Sequence, residues 1–245
     1  MDTSHLTPAA LDAYAASYYL NDAVDDIDIE ELAQQHSIPA LVEGLAGCER
    51  VLEMGYGTGL ITTELLAQGI GLEVLEGSPV LADRARAQHP GLVVHVDMFE
   101  SFLPDVPFDA VLALHVLEHV EDPVLLLGHL ARWVRPGGVL IAVTPNAQSI
   151  HRQLAVQMGL HEQLDDLSPR DHLVGHQRVY DLEGLHTDLL AGGFVPEHDF
   201  GYFVKPLSNG QMLEWPRELL EGFNRLSAVV PPWLLANIGV RARRS

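Results

Sequence analysis

Residues Val51-Leu52-Glu53-Met54-Gly55-Tyr56-Gly57-Thr58-Gly59 constrain the fold more than any other stretch of the chain. An apolar run of strand type carries an acid near its end, and three glycines then alternate with larger residues before a helical pattern begins. Glycine lacks a Cβ, so it accepts positive φ and lets a ligand lie against the backbone. A glycine-rich passage from a strand into a helix N-terminus is how α/β proteins hold a nucleotide. The chain therefore reads as a binder of an adenosine-type cofactor. The dinucleotide fingerprint G-x-G-x-x-G is not met, because Leu60 stands where its third glycine belongs.

Short apolar strands alternate with helical patterns on both sides of this loop. The strands are expected at Val51–Met54, Leu72–Leu75, Leu92–Val96, Phe108–Leu114 and Val139–Thr144, the last after the turn Arg135-Pro136-Gly137-Gly138. Helices are expected across Ile61–Gln68 and Val80–Gln88. Such alternation predicts an α/β fold, a doubly wound, Rossmann-like, mostly parallel sheet. Residues 1–45 read as a helical cap, with Thr7 as N-cap before Pro8 and a second helix over Ile29–Leu45. After Thr144 the rhythm changes, and residues 146–180 read as an insertion over the active face. A helix at Asp181–Ala191, strands at Glu197–Lys205 and Ala236–Arg243, and a helical stretch around Gln211–Leu226 complete one domain spanning 1–245.

Composition narrows the function. At 245 residues the chain is long enough for one sizeable core. A net charge of −20 disfavours nucleic acid and anionic membrane surfaces, and is compatible with a small neutral or cationic substrate. The acidic run Asp22–Glu31 reads as a solvated face or loop without chemistry. The longest apolar stretch, Val111–Leu130, is interrupted by His115, Glu118, His119, Glu121 and Asp122, so no membrane span is expected. The first residues lack the pattern of a signal peptide. The single cysteine, Cys48, excludes an internal disulfide. The expectation is a cytoplasmic protein, monomeric or homodimeric.

In an open parallel sheet a ligand lies at the carboxyl ends of the strands, and each strand end here carries a suitable group. The first ends at the glycine loop. The second ends in Glu76, 21 residues beyond Gly55, where a carboxylate can accept from two ribose hydroxyls. The third ends in Asp97-Met98: the acid can accept from an adenine amino group and the thioether can pack on the purine. Asp97 also suits a turn cap, and Met98 and Phe99 equally suit the core. The fourth runs into His115-Val116-Leu117-Glu118-His119-Val120, where His115, Glu118 and His119 are open between cofactor contact and helix start.

This ordered set resembles the class I S-adenosylmethionine (SAM) methyltransferases across residues 45–205, in the style of the ubiquinone-type and natural-product small-molecule branch. The likeness rests on the acid-x-G-x-G-x-G loop, the Glu76 strand end, Asp97-Met98, the segment 115–123 and the turn before the fifth strand. It implies a seven-stranded sheet whose last strand inserts antiparallel. It implies SAM as cofactor, held by Glu53, Gly55, Tyr56, Gly57, Gly59, Glu76, Gly77, Asp97, Met98 and His115. Tyr56 departs from the small residue common at its position.

The resemblance implies a transferase that moves a methyl group to a small molecule, with oxygen acceptors favoured over nitrogen. Methyl transfer from a sulfonium depends mainly on positioning, and a hydroxyl acceptor also profits from a base. The segment Asp171–Tyr180 and the end of the fifth strand supply the candidates, in a space that Lys205–Asn209 after the sixth strand can also face: His176 as base or anchor, His172 as a second base, Tyr180 and Asn146 as hydrogen-bonding orienters. A metal is not expected, since His172-x-x-x-His176 lacks the HExxH pattern. Tyr14, Tyr18 and Tyr19 can close over the cofactor or simply pack. Two other SAM-based functions stay open at this point. One is a non-methylating enzyme that cyclises the aminobutyryl part of SAM, with Asn146, Tyr180 and Ser208, releasing methylthioadenosine. The other is a non-catalytic SAM-binding module. A nicotinamide reductase is a further alternative.

Overall fold

The computed structural model describes residues 7–21 and 26–245. Seven strands form one sheet: β1 (Val51–Met54), β2 (Leu72–Glu76), β3 (Val93–Val96), β4 (Phe108–Leu114), β5 (Val134–Pro145), β6 (Phe194–Tyr202) and β7 (Asn237–Arg244). Their order is β3-β2-β1-β4-β5-β7-β6. The first five run parallel, and β7 enters antiparallel between β5 and β6. The expected sheet, with its antiparallel last strand, is the one observed.

Eleven α-helices surround the sheet among the described residues: α1 (Pro8–Ser17), α2 (Ile27–Gln35), α3 (Ile38–Gly44), α4 (Leu60–Ala67), α5 (Pro79–Gln88), α6 (Pro123–Trp133), α7 (Ile150–Gln157), α8 (Pro169–Leu173), α9 (Leu182–Ala191), α10 (Asn209–Met212) and α11 (Arg217–Leu226). The central strands are apolar on both faces, as burial on both sides requires. Alternate residues divide between two cores. Val111 and Ala113 of β4, with Leu140 and Ala142 of β5, pack under α6 and α9 through Leu127, Leu130, Trp133, Leu185 and Leu189. Their neighbours Ala110, Leu112, Val139, Ile141 and Val143 pack on the other face against α2, α3, α4 and α11. No helix among the described residues is long and apolar enough to cross a membrane.

Local chemistry sets several boundaries. Thr7 caps α1, its Oγ1 accepting from the Ala10 amide at 3.2 Å, with Pro8 in the first turn. The helix expected over 29–45 is two helices, because Ser37-Ile38-Pro39 starts afresh: a proline is tolerated in a first turn and not in a helix interior. The stretch 211–226 is likewise divided into α10 and α11 by Pro216. The Arg135–Gly138 turn is absorbed into β5 as an irregularity in its pairing with β4. β6 begins and ends earlier than expected, since Phe203 takes φ of +67° and breaks the strand.

The acidic run departs most from expectation. Residues 22–25 lie outside the described part. Asp26, however, is buried and accepts from Arg170 Nη1 at 2.5 Å, and Glu30 accepts from Asn209 Nδ2 at 2.5 Å. These acids face inward, held by partners that come from more than 140 residues later in the chain.

Candidate functional site

The carboxyl ends of β1, β2 and β4 open into a cavity of about 500 Å³, roofed by α1. The loop between β1 and α4 shapes its floor. Gly55, Gly57 and Gly59 all have positive φ, +79°, +55° and +84°, a region costly for residues with a Cβ. At Gly59 space is also decisive, since a Cβ would sit 2.3 Å from the Tyr56 hydroxyl oxygen. Tyr56 fills the site of the small residue by folding its ring toward α5, where its hydroxyl donates to Gln88.

Two buried acids stand above this loop. Glu53, 4% exposed, accepts a 2.6 Å hydrogen bond from Thr62 Oγ1 and has no cationic partner among the described residues. Burial pushes its pKa up to about 8; the Thr62 bond opposes this and the nearby Glu76 adds to it. Glu76 receives the Tyr56 amide at 2.8 Å on Oε2 and the Ser78 amide at 2.7 Å on Oε1. Each oxygen keeps a lone pair for a further donor. Burial raises this carboxyl too, against the backbone bonds that lower it.

The remaining cofactor candidates line the same cavity. Asp97 does cap the next turn, its Oδ1 accepting from the Met98 amide at 2.8 Å and Ser101 Oγ at 2.5 Å. It nevertheless faces the cavity beside Met98 and Phe99. Gly77 lies where a Cβ would come within 3.2 Å of the Met98 sulfur and 2.6 Å of Leu11. Tyr14, Tyr18 and Tyr19 all line the roof, with Tyr14 and Tyr18 stacked at 5.6 Å. His115 adopts φ of +56°, unusual for a residue with a side chain, as β4 ends. Its Nδ1 meets Glu118 Oε1 at 3.1 Å and its Nε2 meets the Tyr202 hydroxyl at 2.8 Å, so the ring braces β4 against β6.

His176 stands at the far edge of this cavity and also lines a second one of about 450 Å³, built by α7, α8 and the segment after β6. Its Nδ1 lies 2.9 Å from Asp171 Oδ1. Asp171 is held in turn by Arg152 Nη2 at 2.7 Å and by the amide and hydroxyl of Ser168 at 2.8 and 2.6 Å. Burial opposes its charge, but the His176 bond, the Arg152 charge and the Ser168 bonds win and hold its carboxyl far below the usual range. The His176 ring meets His119 edge-on at 4.7 Å. Glu118, His119 and His176 each place one ligand-type atom within 4.8 Å of the others, and Glu118 Oε2 is buried without a hydrogen-bond partner. HxxxH spacing gave no hint of this grouping, which unites the turn after β4 with the insertion.

Three candidates, Asn146, Tyr180 and His172, line neither cavity. Asn146 spends its amide on backbone: Nδ2 donates to the Trp233 and Leu235 carbonyls at 2.9 and 2.7 Å, and Oδ1 accepts from the Gln148 amide. The Tyr180 hydroxyl donates to Asp188 of α9 at 2.7 Å, within the core. His172 is exposed on α8. Ser208 lines only the second cavity, so the set required for cyclisation is not assembled around the first. Asp171 and Arg152 are the residues that sequence reasoning missed. Their one local signal is the capping box Ser168-x-x-Asp171.

A family model described as a methyltransferase domain matches residues 27–198. The chain belongs to this methyltransferase family. It is a SAM-dependent enzyme, and SAM is its cofactor. The chain is 29% identical over 201 residues to the ubiquinone biosynthesis O-methyltransferase of Methylocella silvestris, covering 74% of this chain and 77% of the relative. To the protein of the same name from Paramagnetospirillum magneticum it is 33% identical, covering 66% and 56%. Over the curated relatives the match spans from about half to about three quarters of their length. In fold it is similar to a SAM-dependent methyltransferase from Mesorhizobium loti (TM-score 0.60, 20% identity, covering 85% and 98%).

The methyltransferase's first cavity fits its cofactor on physical grounds. Glu53 is a buried carboxylate that burial has driven toward the neutral acid for want of a cation, and SAM brings two cationic centres. Glu76 offers two acceptors, as paired ribose hydroxyls require.

Proposed function

We propose that this methyltransferase methylates a hydroxyl group of a small molecule, with SAM in the first cavity and the acceptor in the second. The observation that carries the proposal is the position of His176, which borders both cavities and is held through Nδ1 by a charged, buried Asp171. A carboxylate on Nδ1 fixes the proton there and leaves Nε2 as the basic atom. Nε2 then takes the proton of an acceptor hydroxyl, and Asp171 stabilises the imidazolium that results. Bound SAM supplies the electrophilic methyl carbon on a sulfonium. Glu53 and Glu76 hold the cofactor, Tyr14 of α1 with Tyr18 and Tyr19 just after it cover it, and the end of β4 at His115 borders it. The O-methyltransferase names of the relatives support an oxygen acceptor.

The test is His176→Gln. Turnover, read as S-adenosylhomocysteine formed with a panel of hydroxylated small molecules, falls by about a hundredfold, while SAM affinity is unchanged. Turnover equal to the parent enzyme removes His176 from the chemistry, and product methylated on nitrogen removes the oxygen assignment.

A further inference from the structure

The second cavity carries a charge pattern that the chain's acidity conceals. Among the described residues only His115 and Phe203 are non-glycine residues with positive φ. Such strain persists where the surrounding structure enforces it, often beside a ligand site. His115 belongs to the cofactor cavity, and Phe203 to the second one. The bend at Phe203 carries the chain off the sheet and brings Lys205 into the second cavity's wall.

Three cations line that cavity, and two are occupied. Arg152 is bound by Asp171 and by the Leu164 and Asp166 carbonyls. Arg170 is bound by Asp26 and the Tyr18 hydroxyl. Lys205 has no carboxylate within ion-pair distance among the described residues. Glu30, which also lines this cavity, lies within electrostatic reach of it and accepts from Asn209 Nδ2 through Oε1. Two further wall atoms, His151 Nδ1 and Asn209 Oδ1, are buried without hydrogen-bond partners. Buried polar atoms are rarely left so: Lys205 and His151 can donate to a polar ligand group in this space, and Asn209 Oδ1 can accept from a donor such as a hydroxyl. Burial lowers both Lys205 and His151 from their ordinary values, which an anion would reverse. The rest of the wall, including Leu154, Met158, Leu160 and Leu207, is apolar.

We infer that the second cavity selects a small hydroxylated organic acid, its carboxylate held by Lys205 with His151 beside it and its apolar body against α7. The proximity of Glu30 favours a monoanion over a dianion such as a phosphate ester. The inference rests on the acceptor assignment above and adds the class of acceptor.

The experiment is ligand-observed NMR on the full chain loaded with S-adenosylhomocysteine. The probes are matched pairs of acid and amide, 3-hydroxybenzoate with 3-hydroxybenzamide and 3-hydroxypropanoate with 3-hydroxypropanamide. At least one acid binds roughly tenfold more tightly than its amide, Lys205→Met removes the preference, and Lys205→Arg retains it. Equal binding of acid and amide by the parent protein, a preference unchanged in Lys205→Met, or no binding of any acid overturns the inference. Because binding is read without turnover, an intact acid preference alongside normal turnover of His176→Gln would sink the base assignment alone. Loss of the preference alongside inactive His176→Gln would sink the acid inference alone.

Discussion

The two cavities of this methyltransferase are opposites in origin and in charge. The first is made mainly from strand ends, its main contacts falling within residues 53–98 and at His115, and it holds two buried carboxylates, Glu53 and Glu76, neither of them ion-paired among the described residues. The second is made from the insertion and the segment after β6, and it holds a lysine with no carboxylate within ion-pair distance among the described residues, Glu30 lying farther off on the same wall. A net charge of −20 agrees in sign with the first cavity and gives no sign of the lysine in the second. The expectation of a neutral or cationic substrate rests on that bulk figure, and the acid proposed for the second cavity rests on the few charges lining it.

The contrast can be broken most sharply at Asp171, which should matter to the second cavity only. Asp171→Asn lets His176 adopt either tautomer, so turnover drops by about a hundredfold while SAM affinity stays within about twofold. A matching loss of SAM affinity would merge the two sites into one. Next is Glu76→Ala, which removes acceptors from the first cavity alone. SAM binding by calorimetry weakens by at least about tenfold, and the acceptor KM is preserved; unchanged affinity takes Glu76 off the ribose.

The smallest effect belongs to Glu53 and concerns pH. Its carboxyl is raised by burial to about 8 in the cofactor-free protein, so the folded state binds more protons than the unfolded chain between the ordinary carboxylate range and that value. Stability of the cofactor-free protein therefore falls as pH rises through this window. A cationic ligand favours the charged form, so SAM binding releases a proton and tightens from pH 6 to pH 8. Glu53→Gln flattens both trends, raises the melting temperature of the cofactor-free protein at pH 8 and weakens SAM binding severalfold. A parent enzyme with pH-independent SAM affinity over that range would show that Glu53 does not meet the cation.

The first cavity was legible in the sequence because a parallel sheet aligns its strand ends, so glycine loop, Glu76, Asp97 and His115 could be placed from local pattern and strand order. The second was largely hidden. Asn146 and Tyr180 sit where orienters were expected, yet Asn146 is claimed by carbonyls 87 and 89 residues downstream, and Tyr180 by Asp188 of the following helix. Arg152 and Asp171 meet only once the insertion has folded. Lys205 enters the wall through a strained Phe203, and nothing in the residues Tyr202-Phe203-Val204 announces a break. Asp26 and Glu30 appeared solvated because their partners, Arg170 and Asn209, lie in other parts of the chain.

Arg170 gives the two chambers a common latch. It borders both, and its guanidinium is gripped at once by Tyr18, at the end of the roof helix α1, and by Asp26, at the start of α2. The hydrogen bond from Arg170 to Tyr18 ties the end of that roof to α8, the short helix on which Asp171 is mounted. The ceiling of one room is thus fastened to the furniture of the other by a single side chain.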